Sequence, residues 1–419
     1  MAVSFAGDAQ RRLVFLFPGQ SVQKIGMGLN LSKTEAVFAS ALHECATILS
    51  GFGLDLEAIL AGTSQIELDA TSMAQPAIFA FEWALAAMWA SKGILPDIML
   101  GHSLGGITAA ARANVMSLSD ALRVVVARGR IMERAPPGAM IAVFASASKV
   151  APYLEKESAI ASIGSPVTCT ASGPTPQIDR LETRLSGIGI RTRRLRTEKA
   201  FHSPLLSDLV PEVEKEFGSI QLNPPSMTVV SSVTGRVMTA EEATSPHYWA
   251  DQIATTVRFL DSLQTIGTSP NTVWLELGPV ALLGEIVRAT FDENVTTIAS
   301  VSDSHPSETD SVAAALFSLY RAGVRANFNT IPDIPAKEPP IRPRTPTEHK
   351  LAQIWGATLG IVEIGIRDDF FELGGKSLQA IEAIAQVNEL FDRNIDLEIL
   401  FNARTIEKLG ACIDKEQPI

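Results

Sequence analysis

Cysteine is scarce. Only Cys45, Cys169 and Cys412 occur, far apart and odd in number, with no Cys-x-x-Cys and no histidine pair at ligand spacing. That pattern suggests neither a disulfide framework nor a metal site. Positive charge is thin as well. With 35 Lys and Arg against 46 Asp and Glu the net charge is −11, and no basic block could neutralise a nucleic-acid backbone. Arg191, Arg193, Arg194 and Arg196 do cluster, but in a strand-like stretch, where a solvated sheet face is expected. Long apolar runs are missing too: nothing approaches the roughly 18 residues of a membrane span. The opening Met-Ala-Val-Ser-Phe-Ala-Gly-Asp lacks the basic-then-apolar order of a signal peptide. These absences predict a cytoplasmic protein with no nucleic-acid and no membrane partner.

What is present is ample core material, 46% hydrophobic against 19% charged over 419 residues, enough for two or three domains. Arg11–Phe17 reads as a buried strand stopped by Pro18-Gly-Gln20. Helical periodicity runs over Ala74–Ala90, with Gln75-Pro76 in its first turn, and again over Ser119–Met132. Between 139 and 200 the order strand, helix, strand, strand, helix, strand predicts a ferredoxin-like insert, about 135–200, in a larger α/β body. Met227–Val233 and Val273–Leu277 read as further body strands, and Tyr248–Ile266 as one helix. Six prolines between Asn327 and Thr347 predict a semi-rigid linker. The expected division is a body over 1–330, a linker over 331–346 and a small helical unit over 347–417. Helices are expected there at 348–359, 377–391, 397–401 and 405–415.

The chemistry centres on Gly101-His-Ser-Leu-Gly105. An apolar strand precedes it and a small-residue helix pattern follows, the setting of a nucleophile elbow. Glycines at both ends permit the sharp turn that lifts the Ser103 hydroxyl above the sheet edge. Backbone N–H groups at the following helix start can face a developing oxyanion. Serine alone is a poor nucleophile and needs a base. His202, in Ala200-Phe-His-Ser203 directly after the last strand of the insert, stands where a cleft forms.

Phe17-Pro-Gly-Gln20, Gln75-Pro76, Gly101-His-Ser-Leu-Gly105, Ala127-Arg-Gly129, Ala200-Phe-His-Ser203 and Glu276-Leu-Gly-Pro279, in this order, resemble the malonyl-CoA:carrier acyltransferases of polyketide and fatty-acid synthases. The resemblance covers about residues 12–330 and implies an α/β-hydrolase-like body with a ferredoxin-like insert. It implies Ser103 as acylated nucleophile, His202 as general base, and the N–H groups of Gln20 and Leu104 as oxyanion donors. Gln75 and His102 would line the acyl pocket, and the backbone carbonyl of Gln252 would orient the imidazole. Arg128 would clamp the free carboxylate of a dicarboxylic acyl group, a contact that suits a planar guanidinium. Phe201 and Leu104 resemble the malonyl-selective form. Gly106, Ser21 and Lys199 depart from the pattern: glutamate, glycine and His or Tyr are usual at those positions.

Asp368-Asp-Phe-Phe-Glu-Leu-Gly-Gly-Lys-Ser-Leu378 resembles an acyl or peptidyl carrier domain, with wording that leans toward nonribosomal peptide or hybrid systems. Ser377 would carry 4′-phosphopantetheine, attached by a separate phosphopantetheinyl transferase. From Thr345 onward 13 acidic residues face 7 Lys and Arg, a net of −6, which fits docking to basic patches. The two resemblances together imply transfer of a malonyl-type group from coenzyme A, through acyl-Ser103, to a carrier thiol. Partners would include other synthase modules such as a ketosynthase, of which this chain has no region. A natural two-domain protein and a piece of a larger synthase both stay open. So do two other functions: a serine hydrolase or editing thioesterase acting on carrier-bound acyl groups, and a non-catalytic carrier or docking protein.

Overall fold

A computed structural model describes residues 11–324, apart from 63 and 293, and residues 341–415, apart from 360, 362–363, 371–372, 374–376, 392, 394, 396–398 and 401–402. The chain divides into two units, 1–330 and 331–419. Most of the expected proline-rich linker and most of the expected helix 397–401 lie outside the described residues.

In the first unit, the strands β1 (Arg12–Phe17), β2 (Ile98–Gly101), β7 (Thr228–Val230), β8 (Thr272–Glu276) and β9 (Thr296–Ala299) form one parallel sheet ordered β7-β2-β1-β8-β9. The central strands are apolar at nearly every position because helices cover both faces. Val14, Leu16, Leu100 and Trp274 meet Phe259, Leu263 and Val287 of the helices α7 (Phe259–Ile266) and α8 (Leu283–Phe291). The helix α2 (Thr71–Ser91) packs between α1 (Ala36–Ser50) and α4 (Leu118–Glu133). It is buried almost all round, which accounts for its near-continuous apolar sequence. It begins at Thr71, earlier than expected, so Pro76 lies inside the helix rather than in its first turn.

The strands β3 (Ala139–Val143), β4 (Ala159–Ser165), β5 (Thr168–Gly173) and β6 (Thr192–Arg194) form the insert, an antiparallel sheet ordered β4-β5-β3-β6. The helix α5 (Thr175–Gly187) seals its apolar face with Ile178, Leu181 and Leu185. The expected order of elements is observed. The helix expected at 148–156 is a short turn over Ala147–Val150 and a 3-10 turn to Tyr153, because Pro152 cannot continue it.

One expectation fails where it matters most. Residues 248–266 are not one helix. The helix α6 (Pro246–Asp251) stops, a strap runs over residues 252–258, and α7 follows. Three successive β-branched residues, Thr255-Thr256-Val257, suit extended backbone better than helix. Val257 donates its N–H to the Ala161 carbonyl and accepts from Ile163, both at 2.9 Å, so the strap ties the insert to the body.

The second unit holds helices α9 (Pro346–Leu359), α10 (Ser377–Phe391) and α11 (Ile406–Lys415) around Leu351, Trp355, Phe370, Val387 and Leu409. Trp355 meets Phe370 edge to face at 4.9 Å. In the acidic-aromatic motif, Phe370 is core, Asp368 accepts from the Gly365 N–H at 2.8 Å and Asp369 pairs with Arg404 at 3.0 Å.

Candidate active site

Phe17 and Gly101 are register partners at the carboxyl ends of β1 and β2, so the two loops that leave them emerge side by side. A Cβ on Gly101 would lie 2.0 Å from the Gly105 carbonyl carbon, and one on Gly105 would lie 2.1 Å from the Phe17 carbonyl oxygen. Both positions therefore exclude any side chain. Between them Ser103 takes φ 52° and ψ −112°, a strained conformation for a residue with a Cβ, and the helix α3 (Leu104–Arg112) starts at once. Gly19 lies flat on this turn, since a Cβ there would meet the His102 carbonyl oxygen at 2.7 Å. That contact brings the Gln20 backbone beside the elbow. The N–H groups of Gln20 and Leu104 donate to no other group among the described residues. Ser21 follows at φ 96°, in the left-handed region that favours glycine.

Ser103 Oγ lies 2.9 Å from His202 Nε2, and His202 Nδ1 lies 3.0 Å from the Thr255 carbonyl oxygen. A carbonyl only accepts, so Nδ1 carries the proton and Nε2 is free to accept from the serine hydroxyl. The orienting carbonyl was expected at Gln252. The Gln252 carbonyl stands near enough to favour the charged ring, but the hydrogen bond is made by Thr255, three residues further along the strap. The Gln252 side chain has a different partner: its Nε2 donates to the Ser103 carbonyl oxygen at 3.1 Å. The His202 N–H donates to the Ile253 carbonyl at 2.9 Å, so the strap holds backbone and ring together.

Burial pushes the His202 imidazole down to about 3, helped by the positive charge of Arg128 and by His102. His102, its ring 5.5 Å from that of Phe259, is pushed down to about 4 by burial. Both rings are neutral near pH 7, the form a general base requires.

Arg128 is 1% exposed on α4. Its Nη1 donates to Gln75 Oε1 at 2.7 Å, while Nε and Nη2 are buried without a partner among the described residues. Burial lowers its pKa to about 10, which still leaves it a cation. Gln75 reaches on toward Gln20 Oε1 and Met132 Sδ, each at 3.5 Å. A cavity of about 100 Å³ brings together Ser103, His202, Arg128, Gln75, His102 and Phe201. The insert supplies its opposite wall with Met140, Ser162 and Thr170, and exposed Arg196 stands at its rim. Those wall residues carry no motif, and their part was not legible before the strands were placed. Lys199 points away from the cavity and donates to the Ala135 carbonyl at 2.7 Å, just past the end of α4.

Ser377 is the first residue of α10. Outward-facing backbone N–H groups at such a helix start suit a phosphodiester.

Residues 14–326 match the family described as the acyl transferase domain, and residues 349–413 match the phosphopantetheine attachment site. One of the phenolphthiocerol/phthiocerol polyketide synthase subunits of Mycobacterium tuberculosis is 30% identical over 98% of this chain and 31% of its own length. A PKS-NRPS hybrid synthetase, acdB, of Aspergillus candidus is 38% identical over 68% of the chain and 12% of its own length. The chain thus spans a third or less of these relatives. Among solved structures, the acyltransferase domain from the second module of the salinomycin polyketide synthase is 35% identical with a TM-score of 0.72, covering 76% of both chains. The acyl transferase domain of SpnD, solved with 2-(pent-4-yn-1-yl)malonyl, is 34% identical with the same TM-score over 77% of this chain and 79% of its own. The malonyl-CoA:acyl carrier protein transacylase of Xanthomonas oryzae is 27% identical with a TM-score of 0.66, over 74% of this chain and 98% of its own.

Proposed function

The chain belongs to the acyl transferase domain family, with a phosphopantetheine carrier domain behind it, and from that premise we propose that it moves a malonyl-type group from coenzyme A to a carrier thiol in polyketide or hybrid assembly. The observation that carries the choice of acyl group is Arg128. Two of its donors are buried and, among the described residues, unpartnered in the cavity that holds Ser103. Leaving a buried guanidinium half satisfied is costly, and a carboxylate on the acyl group would complete it. SpnD, a relative solved with a substituted malonyl group, fits the same reading.

In the first half-reaction His202 Nε2 takes the Ser103 hydroxyl proton as Oγ bonds to the thioester carbonyl carbon. The N–H groups of Gln20 and Leu104 face the oxygen that gains the charge. The carbon–sulfur bond breaks, and the departing coenzyme A sulfur receives the proton from His202. Phosphopantetheine on Ser377, when bound, supplies a thiol as acyl acceptor. His202 takes that thiol's proton and returns it to Ser103 Oγ as the ester opens, while the cavity walls limit the access of water. A carbonyl behind His202, rather than a carboxylate, makes this a Ser–His dyad.

Mass spectrometry after mixing with malonyl-CoA tests the proposal. A lasting malonyl ester lost in Ser103→Ala supports transfer, turnover to free malonate means hydrolysis, and no adduct leaves a docking role. Arg128→Ala is expected to lose about 2–3 kcal/mol of preference for malonyl- over acetyl-CoA, roughly 30- to 160-fold. An unchanged preference would remove the clamp.

A further inference from the structure

Gly106 and Gln252 explain each other. Gly106 is the third residue of α3, where a glutamate would complete the S-x-x-E capping spacing counted from Ser103. Here the position has no side chain, and Ser103 makes no side-chain cap bond. The space is taken from outside the helix. A Cβ built on Gly106 would lie 3.1 Å from Gln252 Nε2, closer than a methyl group and an amide nitrogen normally approach. That same nitrogen donates to the Ser103 carbonyl oxygen at 3.1 Å. The orientation of the amide is fixed by chemistry, because two oxygens cannot hydrogen-bond face to face. Gln252 is 3% exposed, and its Oε1 is buried with no partner among the described residues. An apolar side chain would avoid that cost, so the amide needs a reason to be there.

We infer that the Gln252 side-chain amide is a positioning residue for the Ser103–His202 dyad, and that glycine at 106 is what admits it. The inference rests on the transferase reading above. One short strap bonds to both catalytic residues, beside the Gly106 N–H that also donates to the Ser103 carbonyl at 2.9 Å. Gln252 holds the strained carbonyl of Ser103, Ile253 holds the backbone of His202, and Thr255 holds its ring. Neither the serine nor the histidine has ordinary backbone, with φ 52° and 57° respectively, so both need to be held from outside. The amide acts through the elbow and touches no reacting atom.

The test measures the maximal rate of Ser103 acylation by malonyl-CoA, and the concentration giving half that rate, in rapid-quench intact-mass experiments on the whole chain. Gln252→Ala is expected to slow acylation about 10-fold at unchanged half-saturation, as a displacement of well under 1 Å would. Gln252→Asn, whose shorter amide reaches less far, is expected to recover part of the rate. Gly106→Ala gives the sharper reading. Alanine favours helix over glycine, so Tm should hold or rise while acylation falls about 3-fold through displacement of the amide. The double variant should be no slower than Gln252→Ala alone, because both changes remove one contact.

Full-rate acylation by Gly106→Ala, or additive losses in the double variant, would overturn the inference. Should Gln252→Ala not fold, Gly106→Ala decides by itself. The same series is run against a fluorophosphonate, which phosphonylates an activated serine, releases fluoride and needs no acyl carboxylate. A wild-type chain that reacts with this probe but not with malonyl-CoA would sink the transferase reading. The variants' probe rates would still judge the positioning role.

Discussion

A histidine that works as a base must stay neutral at the working pH. Burial beside Arg128 holds His202 down to about 3, far under the ordinary 6.5. The rate of Ser103 acylation is therefore expected to stay level as pH falls from 8 to about 5, where a base of ordinary pKa would lose nearly tenfold per unit below 6.5. Pulsed acylation at a series of pH values checks this, and a loss centred at 6.5 would refute it. In Arg128→Gln the repelling charge is gone, so the acid limb should move upward. Stability runs with the opposite cost. In the unfolded chain His102 and His202 gain protons near 6.5, but in the fold only near 4 and 3. The unfolded state binds more protons across that window, so stability falls as pH drops from 6.5 toward 3. Urea midpoints at pH 7 and pH 5 should show the loss, and His202→Gln should show less of it.

At the scale of elements, the elbow was legible because the residues that mark it are close together in the chain. Gly101, Ser103 and Gly105 sit within five residues, and the two glycines are dictated by contacts of 2.0 and 2.1 Å that no side chain permits. The strap was not legible. Its work is done largely by backbone carbonyls, which any residue supplies, so Thr255 carries no mark of its role. Apolar periodicity over Tyr248–Ile266 read as helix, and only the β-branched run Thr255–Val257 argued for a break. Glu82 was likewise silent. It sits fully buried on α2, accepting from Thr108 of α3 at 2.6 Å, and burial pushes its carboxyl well above the usual range. Burial thus favours its protonated form, and its bond to Thr108 joins α2 to the helix that follows Ser103. A raised carboxyl favours the fold below about 4.5, and that contribution is lost as pH rises toward the folded value. Glu82→Gln keeps the shape without the proton, so its stability relative to the unsubstituted chain should be greater at pH 8 than at pH 5. Equal differences in urea unfolding free energy at the two pH values would show that Glu82 is ionised in place.

At the scale of the molecule, the two units have separate hydrophobic cores, one around the parallel sheet and one around Trp355 and Phe370. All residues brought to the cavity belong to the first unit. The first half-reaction should therefore need nothing beyond Thr330, whereas the second depends on how often a carrier meets the cavity. Linking two partners through a short segment raises their effective concentration to the order of millimolar. A chain ending at Thr330 is expected to form the Ser103 ester at the rate of the whole chain. With both units made separately at micromolar concentration, carrier loading should become proportional to carrier concentration and fall well below the rate of the linked protein. It should slow further with salt, because the carrier bears a net −6 while Arg196 stands exposed at the cavity rim. If the chain ending at Thr330 folds but does not form the ester, the site depends on the second unit and the division of labour drawn here is wrong.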